Sequence, residues 1–140
     1  MVAVMTPVPK PLPIITPDTA PFWEGCRNGQ LLLQRCRACA AWRYPPAPVC
    51  PRCASTEASW TPTSHRGHIH SLVVYHRAFH AAYMEEIPYA MALVELEEGV
   101  RMLLRVVEYP LAALAIELPG EIRFLPLTAE VHLPVFAPHQ

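Results

Sequence analysis

The sequence predicts a mainly β chain: one N-terminal helix, a rubredoxin-like zinc ribbon, and a β-barrel of the oligonucleotide/oligosaccharide-binding (OB) type. Cysteines recur as two C-x2-C pairs, CRAC at 36–39 and CPRC at 50–53. After them come five short stretches rich in β-branched and aromatic residues, separated by turn signals. Five strands at that spacing suit an OB barrel, which closes in about this length. The expected division is an extended proline-rich arm over 1–16, the helix and ribbon over 17–62, and the barrel over 63–140.

The composition permits this and excludes other classes. Hydrophobic residues make up 52% and charged residues 16% of the 140, a balance that supports a packed core and does not fit a disordered chain. A formal net charge of −1 offers no basic footprint for a partner held by phosphate neutralisation. The charge is uneven, with a net +3 over 1–60 and −4 over 61–140. Ten of the eleven basic residues are arginine, a side chain suited to bidentate contacts with carboxylate or phosphate; a preference for arginine codons explains the bias equally well. The N-terminus (MVAVMTPVPKPLPIITP) has no charged leader region, and its prolines break any apolar run. No apolar run approaches the roughly 20 residues of a bilayer span. The expectation is a cytoplasmic chain with no membrane partner, where cysteines serve metal rather than disulfides.

The elements follow in order. Thr16-Pro17-Asp18 reads as a helix start, with capping side chains and a proline in the first turn. Asn28-Gly29 is a C-cap pair. Between them lie Phe22 and Trp23, and Cys26 as a small buried residue. Leu31–Gln34 and Trp42–Tyr44 read as strands flanking the first cysteine pair, and Ser59–Thr61 leaves the ribbon. The barrel strands are expected at His68–Tyr75, Tyr89–Leu96, Arg101–Val107, Glu121–Leu125 and Val131–Val135. Glu97-Glu98-Gly99 marks a tight hairpin, and Leu111–Glu117 is one helical turn or a bridging loop.

The cysteine constellation carries the firmest chemistry. Each C-x2-C turn points two thiolates at one point, and two such turns complete the tetrahedral sulfur shell that Zn²⁺ takes. Cys36, Cys39, Cys50 and Cys53 leave no open coordination position, so the site is structural rather than catalytic. Iron in a rubredoxin-like site is the remaining chemical competitor. A ribbon of roughly 30 residues is too short for its own core, so metal binding supplies on the order of 10 kcal/mol of its folding free energy.

Elsewhere the sequence lacks G-x-S-x-G, G-x-G-x-x-G and P-loop motifs, and no acid/base pair stands out. His68 and His70, two apart on a strand, read as solvated polar residues before they read as a metal pair. The segment His76–Pro88 is long for a barrel connection and rich in aromatics. Its Arg77, Phe79, Tyr83 and Met84 line a ligand or partner groove or fold back over the barrel mouth.

The order FWEGCRNGQLLLQRCRAC, YPPAPVCPRC, PYAMALVELEEGVRMLLRVV and LPVF resembles the zinc-ribbon/OB-fold acyl-CoA-associated proteins, formerly a domain of unknown function, over about residues 20–137. The resemblance implies a mostly non-catalytic subunit that sits beside thiolase-like enzymes, aldolases or hotdog-fold hydratases and helps bind a CoA thioester. It places the metal ligands at Cys36, Cys39, Cys50 and Cys53, and a ligand- and partner-facing region at 76–107. One departure is IELPGEIRF at 116–124, where Pro119-Gly120 is expected to supply a late glycine turn. A CoA ligand needs cations for its phosphates and an apolar groove; Arg35, Arg37, Arg43 and Arg52 are the phosphate candidates. Phe22 and Trp23, with Ile14 and Ile15 of the arm, are the docking candidates. The alternatives are a single-stranded nucleic-acid-binding module, disfavoured by the acidic barrel half, and an independent thioesterase, disfavoured by the absence of a nucleophile–base set.

Overall fold

The computed structural model describes residues 9–140, so residues 1–8 of the expected arm lie outside the described residues. The chain forms helix α1 (Ala20–Arg27), then β1 (Leu32–Cys36), β2 (Trp42–Arg43), β3 (Ala58–Pro62), β4 (Arg66–Tyr75), β5 (Tyr89–Leu96), β6 (Arg101–Arg105), β7 (Pro119–Pro126) and β8 (His132–Pro138). Single 3-10 turns stand at Ala81–Tyr83 and Leu111–Ala113. The helix is shorter than expected at its start. Residues 17–19 form a turn, and the Thr16 carbonyl accepts from Thr19 N (3.1 Å) and Ala20 N (2.8 Å). Its end is as expected: Gly29, at φ 77°, donates to the Cys26 carbonyl, and Gln30 N donates to Gly25 O, which satisfies the last-turn carbonyls.

Two antiparallel sheets follow, in the orders β2-β1-β3 and β6-β5-β4-β7-β8. An isolated parallel bridge, Val106 to Phe136, and a Val107 N to Phe136 O bond join the last edge to the first. The second sheet is thereby a nearly closed OB-like barrel. β4 bulges at His70, which has no partner between the pairs Ile69–Val94 and Ser71–Leu93. The bulge breaks the two-residue period, so His68 and His70 do not form a same-face pair. His68 instead faces Glu95 (3.4 Å) and Glu117 (3.8 Å).

The barrel core is Ile69, Ala90, Ala92, Val94, Met102, Leu104, Ile122 and Phe136, all buried. The same cluster continues into Phe22 and Cys26 of α1 and Leu31 and Leu33 of the ribbon. Each large side chain among these contributes about 1.5–3 kcal/mol by leaving water. The ribbon is therefore fastened to the barrel, and Phe22, 4% exposed, is not a docking residue; it anchors the helix. Burial pushes the Cys26 thiol up to about 12, which keeps it protonated and inert. A polar joint completes the attachment. Thr63 Oγ1 donates to Leu31 O (3.1 Å), His65 Nε2 accepts from Leu31 N (3.0 Å), and Ser64 N donates to the Glu98 carboxylate (2.8 Å).

Pro119 and Gly120 do not form a turn; they begin β7. Gly120 stands opposite Gly67 of β4, and each glycine is crowded by its other neighbour strand, Gly67 by β5 and Gly120 by β8. A Cβ on Gly67 would lie 2.5 Å from the Glu95 carbonyl oxygen, and one on Gly120 would lie 2.6 Å from that of Ala137. Gly99, at φ 89°, has nothing within 4 Å. Gly67→Ala should therefore destabilise the fold by at least about 2 kcal/mol through overpacking against backbone. Gly99→Ala should cost only about 1 kcal/mol, for the left-handed backbone alone. Thermal unfolding of both variants checks this, and equal losses would show that the β4–β5 contact at Gly67 has room to spare.

Candidate functional site

Two sites emerge, one on the ribbon and one on the barrel. On the ribbon, the two C-x2-C turns are built alike. Ala40 N donates to Cys36 O and Ala54 N to Cys50 O, both at 2.9 Å. Ala40 (φ 65°) and Ala54 (φ 63°) take the left-handed conformation that lets each chain reverse. The Sγ atoms of Cys36, Cys39, Cys50 and Cys53 all lie within 4.8 Å of one another. Cys36 and Cys53 are 3.5 Å apart, and Cys39 and Cys50 3.7 Å. A tetrahedral Zn²⁺ with Zn–S near 2.3 Å needs S–S separations of about 3.8 Å, so the four thiols fit the ion. Backbone N–H groups of Cys39 and Ala38 bring Cys36 down to about 6 against the opposing effect of burial. For Cys53, the Ser55 N–H acts downward, but the neighbouring thiols and burial outweigh it and push it up to about 11.

On the barrel, β5 alternates buried and half-buried residues along its whole length. Its outward positions are Tyr89, Met91, Leu93 and Glu95, and those of β6 are Arg101, Leu103 and Arg105. Most of this outer face is apolar. In an OB barrel the outer face of the second and third strands, with its flanking loops, is the ligand surface. Here it opens into a cavity of about 400 Å³. Met91, Leu103, Tyr75 and Tyr89 form one wall, Leu125, Leu127 and Leu133 another, and Phe22, Trp23 and Tyr44 the end nearest the ribbon. Tyr83, from the 76–88 loop, and Lys10, from the arm, reach the same cavity.

The polar part of the rim is a single network. Glu86 takes Lys10 Nζ at 2.9 Å and also pairs with Arg105 Nη1. Lys10 stands over the Tyr83 ring at 5.2 Å and Arg105 over the Tyr89 ring at 4.6 Å, both cation–π distances. Burial works to raise the Glu86 carboxyl, but the two cations outweigh it and hold it below its usual range. Burial also pushes the Tyr89 phenol up, so that ring stays neutral.

Of the residues expected at a ligand site, only Tyr83 lines this cavity. Arg77 and Phe79 sit at the exposed loop tip, Phe79 78% exposed and 5.9 Å from the Arg77 guanidinium. Arg43 is 5% exposed and donates from Nε to Gln34 Oε1 at 3.1 Å, so it braces β2 from inside and is no surface phosphate ligand. Arg35 lies over the Trp42 ring and bonds Ala40 O; Arg37 and Arg52 are exposed on the two cysteine turns. Trp23 is half-buried at the cavity edge, while Ile14 is 87% exposed. Met91, Leu103 and Arg105 fall within the 76–107 region that the resemblance assigns to ligand and partner without being singled out there, and Lys10 lies outside it. Part of the signal lies on β5, where Tyr89, Met91 and Leu93 are apolar as well as Ala90, Ala92 and Val94, which a strand open to water on one face does not need.

Two family models match: "ChsH2, rubredoxin-like zinc ribbon domain" over residues 23–58 and "ChsH2, C-terminal OB-fold domain" over 60–125. A solved Ltp2-ChsH2(DUF35) aldolase chain superposes with a TM-score of 0.83 at 36% identity, covering 91% of this chain and 98% of that one. This chain belongs to the ChsH2 (DUF35) family. A DUF35-family protein of unknown function from Sulfolobus solfataricus shares the fold, with a TM-score of 0.61 at 11% identity over 88% of this chain and 86% of that one. Among curated relatives, a probable enoyl-CoA hydratase alpha subunit of Thermomonospora curvata is 36% identical over 129 residues, 92% of this chain and 40% of that protein. The 3-oxo-4,17-pregnadiene-20-carboxyl-CoA hydratase alpha subunit of Mycobacterium tuberculosis is 41% identical over 86 residues, 61% of this chain and 27% of that protein. The chain thus spans well under half the length of these curated relatives. As a ChsH2-family ribbon, the four-cysteine centre is a structural zinc site. No helix among the described residues is long and apolar enough to cross a membrane.

Cys36→Ser should abolish stoichiometric zinc binding and unfold the ribbon. Metal analysis and thermal melting check this; retained zinc with an unchanged melt would count against it. Zinc binds thiolates, so it must displace the protons that its four cysteine ligands carry. Zinc affinity should therefore fall as pH falls, as competition with a chelator between about pH 5 and 8 would reveal.

Proposed function

We propose that this chain is a non-catalytic accessory subunit that docks on a thiolase-like, aldolase-like or hydratase-fold enzyme and helps bind an acyl-CoA. The observation that carries the reading is the chemistry of the barrel's ligand face. A nucleic-acid-binding OB barrel presents a track of cations between its stacking platforms; here the aromatic rings stand among Met91, Leu103, Leu125, Leu127 and Leu133, and the two cations that line the cavity, Lys10 and Arg105, share the Glu86 carboxylate. An apolar groove of this volume falls within the range of small-molecule sites, and an acyl chain is the part of a CoA thioester that such walls accept. The solved relative is an aldolase in which a ChsH2(DUF35) chain is joined with Ltp2, and the curated relatives are hydratase alpha subunits. Both support a role beside an enzyme of acyl-CoA chemistry. The chain's own cysteines support catalysis in the partner: four converge on the metal and Cys26 is buried.

With Arg43 buried, the phosphate contacts fall to the exposed Arg35, Arg37 and Arg52, and partner contacts to Trp23, Ile14 and the loop tip with Arg77, Phe79 and Met84. A tagged pull-down from native lysate tests the proposal. A stoichiometric thiolase-, aldolase- or hydratase-fold chain is the expected result. A lone chain carrying strong absorbance at about 260 nm, whose nucleic-acid affinity falls steeply with salt, would overturn it in favour of a single-strand-binding module.

A further inference from the structure

Lys10 and Arg105 share the single carboxylate of Glu86, which leaves one positive charge in excess at the end of an otherwise apolar cavity. Both side chains line the cavity. They are three-quarters buried or nearly so, with 30% and 23% of their surface exposed. Among the described residues, Arg105 uses only Nη1 of its guanidinium donors, on Glu86. Lys10 has three N–H donors and, among the described residues, one ion-pair partner, the same carboxylate. Unused cationic donors beside apolar walls are complementary to one kind of molecule: a hydrophobic body that ends in an anion.

We infer that Lys10 and Arg105 form an anion seat, so that the groove takes an amphiphile with an apolar body and one terminal carboxylate or phosphate. The seat is assembled from two separate parts of the chain. Arg105 is fixed on β6 and stacked on Tyr89, whereas Lys10 is carried in by the arm and held over Tyr83. Glu86 positions both cations in the empty groove and competes with the ligand's anion. Neutralising Glu86 should therefore strengthen anion binding, whereas removing either cation should weaken it. This inference deepens the proposal above and rests on its claim that the groove is a ligand site.

Calorimetric titration of the full chain with decanoate, decyl phosphate, decanol and CoA tests it. Decanoate or decyl phosphate should bind about tenfold tighter than decanol, the size of effect that a charged hydrogen bond supplies. Arg105→Leu and Lys10→Met should lose that advantage and still bind decanol, and Glu86→Gln should increase it. Preference for decyl phosphate with competition by CoA assigns the seat to a phosphate; preference for decanoate without such competition assigns it to a carboxylate. Equal binding of decanol and decanoate would overturn the seat and leave the groove standing as an acyl site. Failure of every probe, or binding unchanged when Met91→Trp fills the groove, would overturn both the seat and the ligand part of the accessory-subunit proposal. The pull-down result would stand apart from either outcome.

Discussion

Four thiolates closing on one point are the constraint from which the rest of the architecture extends. The ribbon strands are short, β2 only Trp42–Arg43, and cannot hold a sheet by hydrogen bonds alone. What fixes them is the pair of reversals at Ala40 and Ala54, each bringing two sulfurs inward. With the reversals fixed, β1 pairs on both sides and turns Leu31 and Leu33 into the cluster that also contains Ile69, Val94 and Phe136. The zinc ion thus does more than close a loop. It orients the ribbon so that its apolar face covers the base of the barrel, and α1 follows through Phe22 and Cys26.

The barrel shows how a fold can be kept while its ligand chemistry changes. Its closure depends on internal features: the bulge at His70, the glycine pair Gly67–Gly120, and the parallel bridge from Val106 to Phe136. None of these constrains the outer face of β5 and β6. That face is free to carry Met91 and Leu103 beside Arg101 and Arg105, and the fold alone does not indicate nucleic acid.

Much of the fold was legible in the sequence, because its signals are local. The cysteine spacing specified the metal shell, Asn28-Gly29 the helix end, and Glu97-Glu98-Gly99 the hairpin, where Leu96 N bonds Val100 O. The site was less legible because it is assembled from distant segments. Nothing near Lys10 indicates that its partner is Glu86, or that Arg105 completes the pair. The ribbon arginines misled for a related reason: composition counts Arg43 as a surface cation, but alternation on β2 turns it inward onto Gln34. Phe22 misled in the same way, since an aromatic pair on a short helix gives no sign of which ring faces the core. Phe22 takes the inside, with Trp23 packed edge-on against it at 5.0 Å.

The two sites are mechanically connected. Tyr44 directly follows β2 and lines the cavity, 6.0 Å from the Phe22 ring. The end wall of the groove is therefore made by residues that the ribbon and helix put in place, and their placement depends on the metal shell. Lys10, from the arm, lines the same cavity. The Lys10–Glu86 contact ties to this cavity the segment that also carries Leu12, Ile14 and Ile15 exposed to solvent. An occupied groove that competes for Lys10 would alter how those apolar residues are presented, which gives a physical route from ligand binding to partner docking.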